Sequence, residues 1–188
     1  MPRRPRILIA GGIYHVTSRG NRKEPVFLSD GDRLLFSELV RQVVAHRRWN
    51  VHCFCLMPNH YHLLVETPEP DLSAGMQRIN SDYAQWFNGE HGLVGHLFQG
   101  RFHARMIESD WHFLQVARYV ALNPVRAGLC ASPAEWRWGS FWNVMNEIPS
   151  LISGHKILSF FGSDGPSARA AYKRFVEEGM DQRGQAGV

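Results

Sequence analysis

The chain is poor in several features that commonly explain a protein of this size. It has three cysteines in 188 residues. So small and odd a number argues against a disulfide framework and for a reducing compartment, the cytoplasm. No apolar run approaches 18 residues, so no membrane span is expected. Met1 to Ile9 holds three arginines and only a short apolar stretch, and polar residues follow, so no signal peptide is expected. Between residues 49 and 100 the only Lys or Arg is Arg78. The composition, 44% hydrophobic and 20% charged, is ordinary for a globular protein and excludes a mainly disordered chain, a collagen and a coiled coil. At this length one domain with an appendage is expected, burying roughly 70% of its unfolded surface without staples.

What is present is unevenly placed. The formal net charge is +4, and ten of the 21 Lys and Arg lie in residues 1–48. Five more fall between 101 and 137 and five in the rest of the chain. Positive charge is thus segmental, a weak pointer to nucleic acid, with a solvated basic surface as the plain alternative. Ten histidines and six tryptophans are generous for this length.

Ile13 to Arg19, rich in β-branched and aromatic types, reads as a strand between Gly11-Gly12 and Gly20-Asn21. Ser29 or Asp30 can cap a helix to about Arg47, with Leu35, Leu39, Val43 and His46 at helical spacing. Val51 to Met57 and His60 to Glu66 read as strands around a Pro58-Asn59 turn. Asp71 is expected to cap a second helix with an apolar stripe of Leu72, Met76, Ile79, Tyr83 and Trp86. Phe102 to Ile107 reads as a fourth strand, and Ser109-Asp110 caps a third helix stopped by Pro124 and Gly128. The order β-α-β-β-α-β predicts an α+β, ferredoxin-like split βαβ fold: a four-stranded antiparallel sheet with helices on one face, followed by a further helix. Trp136, Trp138, Phe141 and Trp142 suggest a wrap on the core, 146–152 a linker, and Ser167 to Glu178 a tail helix, with Asp181 to Val188 disordered. The domain reading is 1–145 as one unit and 146–188 as linker and helical tail.

His60 and His62 are two apart in a strand, so their imidazoles share a face and could hold one metal, which would require the rings to lie within about 5 Å of each other. A lone His-x-His says little in a chain with ten histidines. The third helix adds to it. With Tyr119 as zero on a helical wheel, Asn123 falls at about +40°, Gln115 at about −40° and His112 near +20°. Phe113, Leu114, Ala117, Val120 and Ala121 lie on the far side, so Tyr119 sits on a polar stripe with an amide one turn away. A phenol has pKa near 10 and attacks poorly at neutral pH unless a cation favours the phenolate. A divalent metal also polarises a phosphate oxygen and holds the group in line. Two imidazoles and an amide oxygen suit Mg²⁺ or Mn²⁺, although imidazole alone prefers Zn²⁺ or Ni²⁺. The constellation fits phosphoryl transfer to tyrosine.

Four collinear segments carry a resemblance: Tyr14-His15-Val16-Thr17-Ser18-Arg19-Gly20-Asn21-Arg22; Met57-Pro58-Asn59-His60-Tyr61-His62-Leu63-Leu64-Val65; Phe98-Gln99-Gly100-Arg101-Phe102; and Tyr119-Val120-Ala121-Leu122-Asn123-Pro124-Val125-Arg126-Ala127-Gly128. Together, over about residues 11 to 140, they make the chain resemble the REP-associated tyrosine transposases, within the single-tyrosine HUH transposases that act on single-stranded DNA. The resemblance implies a ferredoxin-like fold, His60 and His62 as metal ligands and Asn123 as the third. It implies Tyr119 as the nucleophile that becomes 5′-phosphotyrosyl and frees a 3′-hydroxyl. It also implies a substrate of palindromic repeats folded into hairpins beside a short single-stranded guide. Related insertion-sequence enzymes carry glutamine at the Asn123 position. Residues beyond 145 match no motif.

Arg19, Asn21, Arg22, Lys23, Arg101, Arg105 and Arg126 are candidates to contact DNA phosphates, with a groove expected on the sheet edge around Arg101. Two rival readings stand beside this one. If Pro58-Asn59 is a two-residue loop, Cys55 opposes His62, and a zinc site of Cys and His is conceivable against the plainer reading of buried cysteines. The same fold also binds hairpin DNA or single-stranded RNA without chemistry. The residues decide between monomer and homodimer in neither direction.

Overall fold

Leu63 and Leu64 in one strand, and Cys55 and Leu56 in its neighbour, put apolar side chains on both faces of the same sheet, the pattern of central strands covered from two sides. The computed structural model describes residues 8–146, 148, 152, 154–163 and 165–181. The expectations for Met1 to Ile9, for the linker 146–152 and for Asp181 to Val188 fall mostly outside the described residues. Gly12–Arg19 (β1), Asn50–Met57 (β2), His60–Thr67 (β3) and His103–Met106 (β4) form one antiparallel sheet in the order β2-β3-β1-β4. The helices are Asp30–Arg47 (α1), Leu72–His91 (α2), Asp110–Arg126 (α3), Ser140–Met145 (α4), His155–Ser159 (α5) and Gly165–Asp181 (α6). The chain therefore has the expected β-α-β-β-α-β order. No described helix is long and apolar enough to cross a membrane.

The sheet separates two cores. On one face Tyr14, Val16, Tyr61, Leu63 and Val65 pack against Phe36 and Val40 of α1 and Met76, Ile79 and Tyr83 of α2. On the other, Cys53, Cys55, Met57 and Leu64 meet Phe113, Ala117 and Val120 of α3 and Ile157, Tyr172 and Val176 of α5 and α6. Helices on one face thus describes α1 and α2, whereas α3, which carries Tyr119, closes the opposite face together with the C-terminal helices.

Local chemistry sets the element ends. Ser29 accepts from the Asp32 N–H while Asp32 accepts from the Ser29 N–H, a capping box for α1. The buried line of α1 is Phe36, Val40 and Val43, rotated from the expected Leu35, Leu39, Val43 and His46, and His46 is exposed. An aromatic ring decides the rotation: Phe36 nests among Phe27, Tyr61 and Tyr83 with centroids at 5.4, 4.7 and 5.1 Å. Asp71 precedes α2 but makes no side-chain cap. Its carboxylate instead accepts from Trp49 Nε1 at 2.8 Å and pairs with Arg47 at 2.6 Å. Gly75 lets the Trp49 indole lie against α2, since a Cβ there would overlap the ring.

The α3 helix starts at Ser109, whose hydroxyl accepts from the His112 N–H, and runs three residues past Asn123. Of the two expected stops, Gly128, at φ 70°, follows the helix end by two residues, whereas Pro124 lies inside the helix. A proline in the last turn removes one N–H but leaves the rest. The burial of Val120, Leu122, Pro124 and Val125 keeps this turn in place, and the Ala127 N–H closes on the Asn123 carbonyl at 3.0 Å. The outer side of β2 is covered by the tryptophan-rich wrap. The Leu56 N–H donates to the Trp138 carbonyl at 2.9 Å and the Phe54 N–H to Ser140 Oγ at 3.0 Å. Gly139 bridges Cys55 there, and Ile152 bridges Val51.

Phe36 and Trp111 should separate core from surface in a denaturant titration. Phe36→Ala, at a fully buried site, is expected to lose about 3–5 kcal/mol. Trp111→Ala, at a residue 66% exposed, is expected to stay within about 0.5 kcal/mol of the parent. A comparable loss at Trp111 would contradict this division.

Candidate active site

The turn between β2 and β3 decides which way the histidines face. Pro58 and Asn59 form a two-residue loop, so Met57 pairs with His60 and Cys55 with His62. On the other side of β3, Thr17 pairs with His62 and Arg19 with His60. Alternation then puts His60, His62, His15, Thr17 and Arg19 on the face covered by α3. The His60 and His62 ring centroids lie 5.0 Å apart at 84°. Above them, Tyr119 stands edge-on to His62 at 5.4 Å, and Asn123 Oδ1 lies 3.3 Å from His60 Nε2. The four residues converge although 56 residues separate Asn123 from the hairpin's closest strand, β3, at Thr67. The chain has five tyrosines. Tyr14, Tyr61, Tyr83 and Tyr172 are at most 1% exposed, whereas Tyr119 is 40% exposed.

Each ring nitrogen has a definite surrounding. Asn59 Nδ2 donates to the Lys23 carbonyl at 3.1 Å, which orients the amide so that Oδ1 faces His60 Nδ1 at 2.7 Å. Both ring nitrogens of His60 face amide oxygens, which only accept, and a neutral imidazole has one hydrogen; the shorter contact, to Asn59, takes it on Nδ1 and leaves Nε2 a lone pair. That lone pair faces another acceptor, Asn123 Oδ1. His62 Nδ1 meets His15 Nε2 at 3.0 Å, and His62 Nε2 is buried without a hydrogen-bond partner. Two opposed lone pairs beside an orphaned ring nitrogen are what a cation would satisfy, so the residues present fit a metal. Among the described residues no three His, Cys, Asp or Glu side chains cluster for this purpose. A cation here would therefore take its third protein donor from the Asn123 amide.

Burial, and then the positive charge around the rings, keeps these imidazoles neutral. Burial lowers the His60 pKa, with Arg19 adding to the effect. His62 is held well below the ordinary value by burial first, then by His15, His60 and Arg19. His15 is lowered to about 4 by burial, then by His112 and Arg105. Neutral imidazole is the metal-binding form, so the site is in that form at neutral pH.

The expected DNA-contacting residues divide into two groups. Arg19, Arg105 and Arg126 border the site: Arg19 bears on His60 and His62, Arg105 pairs with His15, and the Arg126 guanidinium lies 5.4 Å from the Tyr119 ring centroid. Arg101 lies farther along the edge, in a groove with Ser18, Arg19, Gln99 and His103, which of the basic residues near β1 takes in only Arg19. Asn21 and Arg101 also line a larger cleft of about 810 Å³ with Gln77 and Asn80. Arg22 and Lys23 sit exposed on the turn after β1, both in left-handed backbone at φ 53° and 66°. Cys55 shares a row with His62, as the two-residue turn requires. Its Sγ is turned to Met57 Sδ at 3.6 Å, however, and burial pushes its thiol pKa up, which opposes the thiolate that zinc needs.

Sequence reasoning missed His15, Asn59 and His103. His15 and Asn59 both stand in the quoted segments. Their roles depend on which strand lies beside β3, and alternation within one strand does not tell that.

Metal-free protein should lose stability as pH falls from 6.5 toward 4, because the unfolded chain then takes up a proton that folded His15 refuses. Thermal melts in chelator are expected to show a shallower slope over that window for His15→Gln. Equal slopes would contradict the assignment.

With the geometry in place, comparisons with known proteins give one family. Residues 9–123 match the family described as Transposase IS200 like. A curated relative from Haemophilus influenzae, named as a REP-associated tyrosine transposase, is 25% identical over 142 residues, covering 70% of this chain and 80% of its own. Among solved structures, a REP-associated tyrosine transposase bound to a REP hairpin superposes with a TM-score of 0.65 at 21% identity, covering 80% of this chain and 90% of that one.

Proposed function

Because the chain belongs to the IS200-like transposase family, we propose that it cleaves and rejoins single-stranded DNA at hairpin-forming repeats through Tyr119. The observation that carries this reading is the convergence of one solvent-reaching tyrosine, of the five in the chain, with two neutral imidazoles and an amide oxygen. The solved relative bound to a REP hairpin supports a hairpin as the substrate class. A reducing cytoplasm is the compartment proposed for it.

In this mechanism the Tyr119 oxygen attacks the scissile phosphorus in line. The phenolic proton leaves to water, a phosphotyrosine bond to the 5′ side forms, and the bond to the 3′ oxygen breaks, that oxygen taking up a proton as a 3′-hydroxyl. Attack by a 3′-hydroxyl on the phosphotyrosine reverses the step and rejoins strands. His60, His62 and Asn123 would hold Mg²⁺ or Mn²⁺, which when bound supplies charge neutralisation at a non-bridging phosphate oxygen. Arg126 lies where a phosphate brought to Tyr119 finds a counter-charge, and Arg19 and Arg105 border the same face. Asn21, Arg22, Lys23 and Arg101 lie along the edge where a flanking strand would leave the site. Residues 1–145 are read as the catalytic domain and 146–188 as linker and tail.

The test is incubation of purified protein with single-stranded hairpin oligonucleotides and a search for a denaturant-resistant adduct. Tyr119→Phe should retain fold and hairpin binding and form no adduct. Asn123→Ala or His62→Ala should cleave poorly and recover in part with excess Mn²⁺, since the defect is occupancy. Hairpin with a single-stranded flank should bind far better than blunt duplex, with a steep salt dependence. A purely binding protein would shift the hairpin equally before and after chelation and give no adduct. Adduct formation by Tyr119→Phe at the parent rate would remove the mechanism.

A further inference from the structure

The contact between His15 Nε2 and His62 Nδ1, 3.0 Å long, joins the strand before the site to the ring at its centre. Two neutral imidazoles meeting at one nitrogen each share one hydrogen, and only two arrangements exist. In the first, His62 Nδ1–H donates to a lone pair on His15 Nε2, and His62 Nε2 keeps its own lone pair. In the second, His15 Nε2–H donates to His62 Nδ1, and a hydrogen sits on His62 Nε2. That atom is buried with no hydrogen-bond partner, so the second arrangement places an N–H where nothing accepts it and blocks the nitrogen as a ligand.

The neighbouring ring is held in the first way. Asn59 Oδ1 takes the hydrogen of His60 Nδ1, and the Lys23 carbonyl fixes the amide that offers it. Each ring thus has one partner on its Nδ1 side, the preceding residue for His60 and the neighbouring strand for His62, and both rings stand on the α3 face of the sheet, where His60 Nε2 meets Asn123. The His15 ring is placed by the pairing of β1 with β3, where His15 lies opposite Leu64 beside the Thr17–His62 pair, and it runs within 21° of parallel to His62.

We infer that His15 is a positioning residue: it accepts the His62 Nδ1 hydrogen, fixes the tautomer of His62 and so presents the Nε2 lone pair to a divalent cation. This deepens the function proposed above and rests on it only for the use made of the cation. Partners of this kind on a ligand ring typically change metal affinity about 10- to 100-fold. Gln fits the role because its side-chain oxygen reaches about where His15 Nε2 lies, whereas Phe keeps the ring's bulk and offers no acceptor.

The experiment is a long-range proton–nitrogen correlation spectrum of metal-free protein carrying isotope-labelled imidazoles, with Mn²⁺ binding followed by electron paramagnetic resonance in the absence of DNA. The parent is expected to show His62 protonated at Nδ1. His15→Phe should lose that single tautomer and bind Mn²⁺ at least about ten-fold more weakly, and His15→Gln should restore both. A parent spectrum with the hydrogen on His62 Nε2 overturns the inference whatever the variants do. So does unchanged tautomer and Mn²⁺ affinity in a folded His15→Phe. Neither readout uses DNA: absence of a covalent adduct in the parent would sink the transposase mechanism while leaving the tautomer result to stand or fall by itself.

Discussion

Everything at the site hangs on the pairing register of β3 with its two neighbours. Thr17 opposite His62 on one side and Cys55 opposite it on the other put His15, Arg19, His60 and His62 on the same face. A slip of one residue between β1 and β3 would turn the first two away from the last two. The register has two physical anchors: the two-residue Pro58-Asn59 loop, and the apolar demand of both faces. Leu63 and Val65 must meet α1 and α2 while Leu64 meets α3, so no pairing slipped by one residue satisfies both cores.

The strands and their order could be read from the chain because period-two alternation and glycine punctuation are local signals. The same holds for the polar side of α3, where Tyr119 and Asn123 stand one turn apart. The angular phase of α1 could not be read, since Leu35 and Phe36 compete for the inside and only the aromatic cluster of Phe27, Tyr61 and Tyr83 chooses Phe36. Asp71 looked like a cap, and its carboxylate is spent instead on Arg47 and Trp49, partners 24 and 22 residues away. Pro124 looked like a stop, and tertiary burial carries the helix past it. At the site, the histidine pair was legible and its supporting partners were not. His15 is 47 residues from His62, and their meeting is a fact of sheet topology.

The electrostatic character of the site follows from what surrounds neutral rings. Burial keeps protons off His15, His60 and His62, and Arg19 and Arg105 push in the same direction. Formal positive charge therefore sits at the rim, on arginines, and the centre offers lone pairs. In the function proposed above, a phosphate would meet its counter-charges at the edge of this surface and a cation its donors in the middle. The segmental distribution of basic residues along the chain has this local form in three dimensions: β1, β4 and the end of α3 bring their arginines to one face.

The covering of β2 by the wrap has a consequence for assembly. A sheet grows by adding a strand to an unpaired margin, and here the Trp138 carbonyl and the Ser140 hydroxyl already take the N–H groups of Leu56 and Phe54. The opposite margin is β4, four residues long, whose His103 and Arg105 pair with Thr17 and His15 and point with them toward the α3 side. A second copy extending the sheet would have to attach at that short margin, beside the groove of Arg101 and His103. Growth of the sheet and passage of a nucleic-acid strand along the edge would then compete for the same ground.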